Sequence, residues 1–202
     1  VEEPQALGTA GAVANLRGWL DGRALLVVNA DAWHTADLAP LVTGWDGERV
    51  RVLLAGAPEP PDPGPTSLGP TSLGPTSRVP TSLGPTSRVL GSLLPWSEVV
   101  TLPREPSGLF EASWRPHQVD GSLDVTASHV RFVDCGTPGD YLAANLASSG
   151  GESVVGNGAV VEGTLVRSVV WPGGVVRRGE LLVDAIRVGE SLTVRAGVLP
   201  GP

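Results

Sequence analysis

Arg131-Phe132-Val133-Asp134-Cys135-Gly136-Thr137-Pro138-Gly139-Asp140-Tyr141-Leu142 passes from a short apolar strand into a helix. Thr137 is a good N-cap, and Pro138 suits the first helical position, where a missing N–H costs nothing. Asp140 follows at the third helical position and completes a capping arrangement. Tyr141, Leu142 and Leu146 then share one face. A polar residue emerging from an apolar strand marks where open α/β sheets place their ligands, so Asp134 is a candidate site residue.

Downstream, Ser148 to Gly151 breaks the helix and the periodicity changes to six. Val154, Val160 and Val166 are six apart, and after one offset so are Val170, Val176, Leu182, Val188 and Val194. One inward aliphatic residue per six-residue side is how a triangular left-handed parallel β-helix fills its core. An ordinary strand pair alternates every two residues instead.

Upstream, Val13, Leu16 and Leu20 recur at helical spacing, and Gly22 reads as a stop. Leu25 to Val28 reads as a fully buried parallel strand, with Asn29, Ala30 and Asp31 emerging at its C-terminal end. Thr35 can cap a short helix through Leu41, Val50 to Leu54 reads as another buried strand, and Ser107 to Trp114 as a further one. Alternating helices and strands argue for α/β architecture. Between them, Pro65 to Val89 repeats a Pro-Thr-Ser unit every five residues. Its prolines and lack of apolar spacing predict an extended surface loop over 58–90 rather than a folding array. The organisation expected is a first domain over 1–147 and a β-helix over 152–202.

A net charge of −7 in 202 residues gives no electrostatic reason to bind nucleic acid or an anionic membrane. The lone Cys135 excludes an internal disulfide and suits a reducing, cytoplasmic setting. No apolar run approaches the roughly 20 residues of a membrane span, and no secretory leader is evident. His34, His117 and His129 have no metal-ligand spacing, and the tryptophans read as core anchors, Trp33 beside Asp31 being the one alternative. All 14 basic residues are arginine, and methionine is absent even at position 1.

Glu3-Pro4-Gln5-Ala6-Leu7-Gly8-Thr9-Ala10-Gly11-Ala12 resembles the nucleotide-side segment of the sugar-1-phosphate nucleotidyltransferases, the family that includes mannose-1-phosphate guanylyltransferase. Val27-Val28-Asn29-Ala30-Asp31 resembles the family's strand end, with Ala30 in place of the usual glycine. Val133 to Pro138, followed by Tyr141-Leu142 and Ala144-Asn145, resembles its strand-to-helix motif, and a hexapeptide tail is a frequent companion. The resemblance implies a Rossmann-like nucleotidyltransferase domain that joins a sugar 1-phosphate to a nucleotide triphosphate and releases pyrophosphate. It implies Mg²⁺ on Asp31 and Asp134 as catalytic and metal residues, nucleotide on Leu7, Gly8, Thr9, Ala10 and Gly11, and sugar on Asn29, Glu105 and Gly108. Oligomers through the β-helix would fit the family too. Arg104-Glu105-Pro106-Ser107-Gly108 keeps only part of the sugar-phosphate motif. The opening glycine-rich loop with its arginine and lysine is absent, so an N-terminally truncated chain, inactive alone, is expected.

Transfer at phosphorus asks for alignment and charge neutralisation, and a hard divalent ion on two aspartates would supply the latter. Gly8 to Gly11 would let backbone approach a base and ribose, with Thr9 adding a hydroxyl. Two other readings compete. A hexapeptide acyltransferase needs a histidine base on its coils, and residues 150 to 202 contain none. A non-catalytic binding or oligomerisation subunit would keep the fold without turnover.

Overall fold

The computed structural model describes residues 5–56, 83–84 and 87–196. Glu3, Pro4 and most of the Pro-Thr-Ser run lie outside these. Two compact units emerge, Val1–Ala30 with His34–Arg131, and Asp31–Trp33 with Phe132–Pro202. Among the described residues no helix is long and apolar enough to cross a membrane.

The first unit is built on a sheet of order β1-β4-β3-β5, from Leu25–Val27, Val89–Leu94, Arg51–Gly56 and Asp124–His129. Strand β4 runs antiparallel to β1 and to β3, whereas β3 and β5 are parallel. The most apolar strands hold the centre, since all six residues of β4 are buried. Leu25 to Val28 is therefore not the fully buried parallel strand its composition suggests. It is an edge strand with Leu26 39% and Val28 41% exposed, because a short apolar run does not specify how many of its sides are covered. Val89 and Leu90 belong to β4, so the surface loop expected to run through residue 90 ends earlier.

Helices α1 (Gly8–Asn15) and α2 (Arg17–Leu20) replace one continuous helix, and Asp21 stops α2 in the left-handed conformation one residue before Gly22. Ala10, Val13, Ala14 and Leu20 pack with Val50, Val52, Leu54 and Leu94 into one core. Arg17 anchors α2 by donating from Nε to the Val99 carbonyl at 2.9 Å and from Nη2 to the Leu102 carbonyl. The short helix α3 spans Ala39–Val42 and not Thr35–Leu41; Asp37 Oδ1, not Thr35, accepts from its first N–H at 2.9 Å. Buried Arg51 ties this helix to the sheet, donating to Asp124 Oδ2 at 2.6 Å and to the carbonyls of Leu41, Thr43 and Gly44.

Helix α4 (Trp96–Val99) follows β4. Ser107 to Trp114 is not a strand. Phe110–Trp114 forms a π-helical turn that runs straight into α5, Arg115–Asp120. His117 fastens α5 in place, its Nε2 2.9 Å from Glu98 Oε2 and its Nδ1 2.6 Å from Ser122 Oγ.

The second unit takes Ala32 and Trp33 of β2 (Ala32–His34), the strand that pairs with β6 (Phe132–Asp134), and α6 (Pro138–Ser148) follows. The expected cap is present: Thr137 Oγ1 accepts from the Asp140 N–H at 3.2 Å and donates to Asp140 Oδ2 at 2.6 Å. Leu142 on α6 packs with Val169, Ile186 and Ala196, so this unit takes in residues from 132 that the sequence groups with the first segment.

Beyond α6 come β7 (Val154–Val155), β8 (Val160–Val161), β9 (Thr164–Val166), β10 (Val169–Val170), β11 (Val175–Val176), β12 (Leu181–Val183), β13 (Ala185–Val188) and β14 (Leu192–Arg195). Each strand pairs in parallel with the third one on: β7 with β10 and β10 with β13, β8 with β11, β9 with β12. The chain thus lays successive passes over three sheets of parallel pairs, on which the six-residue period can be placed residue by residue. Its frame differs in the first pass. Val160 and Val166 are 52% and 37% exposed, while Ala159 and Leu165 pack on buried Val170, Val176 and Leu182. Val154, Val188 and Val194 face the α6 cluster instead of that interior. Ala159-Val160 and Leu165-Val166 each offer an aliphatic residue to either frame, so composition alone leaves it open.

The column that holds Val155 and Val170 ends on Arg187, in register with Val170 and 3% exposed. Arg187 donates to Glu180 Oε1 at 3.0 Å, to the carbonyls of Val175 and Glu190, and to Thr193 Oγ1. Pairing Val160 with Val175 spans 15 residues, and pairing Thr164 with Leu181 spans 17. The two additional residues fall in the corner that supplies Glu180. Strand β14 then folds back antiparallel on β13.

Candidate functional site

A cavity of about 270 Å³ opens in the first unit. Thr9 from α1, Val27 from β1, Asn29 after it, and Val89 and Ser92 from β4 line one part, with Ser87 beside them. Gly108, Leu109, Phe110, Glu111 and Trp114 line the rest. Three residues singled out in the sequence, Thr9, Asn29 and Gly108, are thereby brought from distant segments to one space.

The neighbouring glycines explain how α1 reaches it. The chain at Leu7 to Ala10 docks on Ser107, whose N–H donates to the Leu7 carbonyl at 2.9 Å and whose carbonyl accepts from Ala10 N–H at 3.0 Å. A Cβ on Gly8 would stand 2.5 Å from the Ser107 carbonyl oxygen, and one on Gly11 2.5 Å from that of Glu105. Gly8 also has φ +66°, a conformation that suits residues without a Cβ. In this segment the glycines serve close packing of backbone on backbone, and Thr9 is the member that reaches the cavity. Leu7 is half-buried and Ala10 fully buried in the core; neither lines the space. Glu105 is exposed and does not line it either.

The π-helical turn shapes the opposite wall. By widening the helix locally, it turns Phe110, Glu111 and Trp114 together toward the space. Trp114 is fixed there by its indole N–H, which donates to Ser92 Oγ at 3.2 Å. Glu111 Oε2 sits 2.8 Å from where a Cβ on Gly108 would be, so the carboxylate occupies the room that glycine leaves. Sequence reading missed Glu111 and Ser92, and read Trp114 as a core anchor; Trp114 does pack on the first unit's core and lines the cavity as well. The three-residue spacing of Glu111 and Trp114 was the available signal, and reading the segment as a strand hid it.

Asp31 and Asp134 belong to the second unit. Asp134 closes β6 at its C-terminal end, as expected, whereas Asp31 lies in the turn before β2 rather than at the end of β1. The Cys135 N–H donates to the Asp31 carbonyl at 2.6 Å, so the backbone holds the two aspartates on one two-stranded ribbon. Both side chains are exposed, and Asp134 Oδ1 accepts from the Gly136 N–H at 3.1 Å. Among the described residues no group of three or more His, Cys, Asp or Glu could hold a metal ion. Two carboxylates suit an ion held largely by substrate phosphates, as Mg²⁺ commonly is.

No family model matches the sequence, and no curated protein matches it. Solved structures do. One described as a glucose-1-phosphate thymidylyltransferase from Bacillus anthracis, crystallised with sucrose, superposes with a TM-score of 0.52 at 17% identity over 72% of this chain. The chain spans 63% of that protein's length. A mannose-1-phosphate geranyltransferase from Thermus thermophilus superposes with a TM-score of 0.51 at 18% identity, covering 97% of this chain and 73% of that one. At such identities the likeness establishes the fold alone: a mixed α/β architecture with parallel sheets, like that of these two proteins.

Proposed function

We propose that this chain handles a nucleotide sugar or its precursors, as a nucleotidyltransferase of the sugar-1-phosphate type. The observation that carries the reading is the convergence of Thr9, Asn29 and Gly108 on one cavity, since those residues come from three separate segments that resemble that family. On this reading the cavity receives substrate, while Asp31 and Asp134 hold Mg²⁺, which would neutralise phosphate charge during transfer. The three stacked sheets are taken as a left-handed β-helix of hexapeptide repeats, available for pairing with a second copy.

A non-catalytic binding subunit is the second reading. It is favoured by the absence of any cationic side chain among the described residues that line the cavity, and by a sequence without lysine. Pyrophosphate release by the purified chain, supplied with hexose 1-phosphates, nucleotide triphosphates and Mg²⁺, separates the two. Turnover that falls at least a hundredfold in Asp31→Asn and Asp134→Asn supports the enzyme. Nucleotide-sugar binding by calorimetry without turnover supports the subunit, and neither binding nor turnover defeats both.

A further inference from the structure

We infer that the first unit holds a docking seat for the Pro-Thr-Ser-Leu-Gly repeat of its own chain, and that the copies at 65–69 and 70–74 exchange into it with the copy at 80–84. The seat is separate from the proposed reaction, since what it recognises is a peptide.

The copy at 80–84 is held at two points. Leu83 is 5% exposed and belongs to the first unit's core, although it lies in a repeat without apolar periodicity. Its N–H donates to Gln118 Oε1 on α5 at 2.6 Å, so side chain and backbone are both engaged. Gly84 then closes a short turn with Ser87. Its N–H donates to Ser87 Oγ at 2.9 Å, and its carbonyl accepts from the Ser87 N–H at 3.0 Å. A buried aliphatic anchor and a captured backbone N–H are the elements by which grooves bind extended peptides.

Each of these contacts is made from within eight residues, Pro80-Thr81-Ser82-Leu83-Gly84-Pro85-Thr86-Ser87, and the same eight recur at 65–72 and 70–77. Leu68 and Leu73 therefore bring the same side chain, the same N–H and the same following Gly-Pro-Thr-Ser. The other two units put Arg78 and Arg88 at the leucine position. Arg88 is exposed, and an unpaired charge in a buried seat is strongly disfavoured, so the seat selects three of the five units.

The chain beyond the turn is fixed by other contacts. The Arg88 carbonyl accepts from the Ala55 N–H at 2.8 Å, and Val89 pairs with Leu54 at the start of β4. Seating Leu73 or Leu68 moves ten or fifteen residues from before the seat to the stretch between it and β4. Loop closure depends only weakly on length, so the exchange redistributes loop while the chemistry at the seat stays the same. The copy at 80–84 has the shortest connection to β4 and is the one the structure shows seated.

Urea unfolding and amide hydrogen exchange on the full chain test this with Leu83→Asp, the pair Leu68→Asp and Leu73→Asp, and all three together. The pair should keep the folding equilibrium within about twofold of the parent, because the copy at 80–84 stays seated. Leu83→Asp should lose about tenfold or less, because another leucine replaces it, whereas the triple variant should lose at least about a hundredfold. In Leu83→Asp, amide protection should appear at Leu68 or Leu73 as it is lost at position 83. That second readout needs only the single variant, should the triple one not fold. A Leu83→Asp protein as unstable as the triple variant, its failure to fold, or no protection gained across 65–77 would each overturn the inference. Rescue that grows with protein concentration would overturn it too, since it would put a second copy's repeat in the seat.

Discussion

Gly11 and Arg187 show how single residues fix each unit. A methyl group on Gly11 would enter the space of a backbone carbonyl, which cannot swing aside as a side chain would. Gly11→Ala should therefore lower stability by about 1–3 kcal/mol in urea unfolding, with Gly8→Ala at least as costly because its φ is positive. Arg187 is buried with every polar contact satisfied. Arg187→Met leaves a partly exposed Glu180 and the carbonyls of Val175 and Glu190 without that donor, at about 2–4 kcal/mol. The double change with Glu180→Met should cost less than Arg187→Met by itself, measurable in the same unfolding experiments. Arg187, through its side-chain hydrogen bonds, and then the Arg177 N–H hold the Glu180 carboxyl below its ordinary value, because both favour its charged form. A lowered carboxyl contributes stability that is complete above its unfolded value and is lost as pH falls through the lower folded one. Acid titration should show this contribution vanishing below the usual carboxylate range, and Glu180→Gln should abolish that step. None of this was legible in advance: an arginine in an aliphatic repeat carries no mark of burial until its partners are placed. Glu111 was hidden for a related reason, since only the π-helical turn reveals which way it faces.

At the scale of elements, capping chemistry was legible at α6 but not at α3, where Asp37 took the place expected of Thr35, and frames were less so. Thr137, Pro138 and Asp140 specify the start of α6 because each answers a local need of helix backbone. The six-residue period was equally visible, yet its phase was not, because Ala159-Val160 and Leu165-Val166 present an aliphatic residue to either side. The frame has a direct test. Leu165→Ala should destabilise by about 2–4 kcal/mol, whereas Val160→Ala should stay within about 0.5 kcal/mol of the parent by thermal unfolding. A larger loss at Val160 than at Leu165 would restore the simple frame. Edge or centre, parallel or antiparallel, are likewise properties of a strand's neighbours; Leu25 to Val28 could not report them alone.

For the whole molecule, the balance of 14 basic and 21 acidic residues gives an isoelectric point near 4.9. Light scattering should show self-association rising as pH approaches that value and falling again below it, since repulsion between copies fades with net charge. Composition made this much plain because it depends on sums over many residues, and the alternation of helix and strand patterns did the same for the α/β class. The division into units was harder to see, as it turns on β2 and β6 joining residues about a hundred positions apart in sequence.

The reversal of β14 on β13, together with the arginine beneath it, makes the stacked sheets asymmetric along their length. Evolution lengthens such folds by copying one circuit of chain. A copied circuit inserted between Val166 and Val169 would find matching neighbours above and below. One added after Val188 would meet a strand running the wrong way and a guanidinium where a methyl group should be. Growth of this protein by duplication is therefore open inside the stack and barred beyond β13.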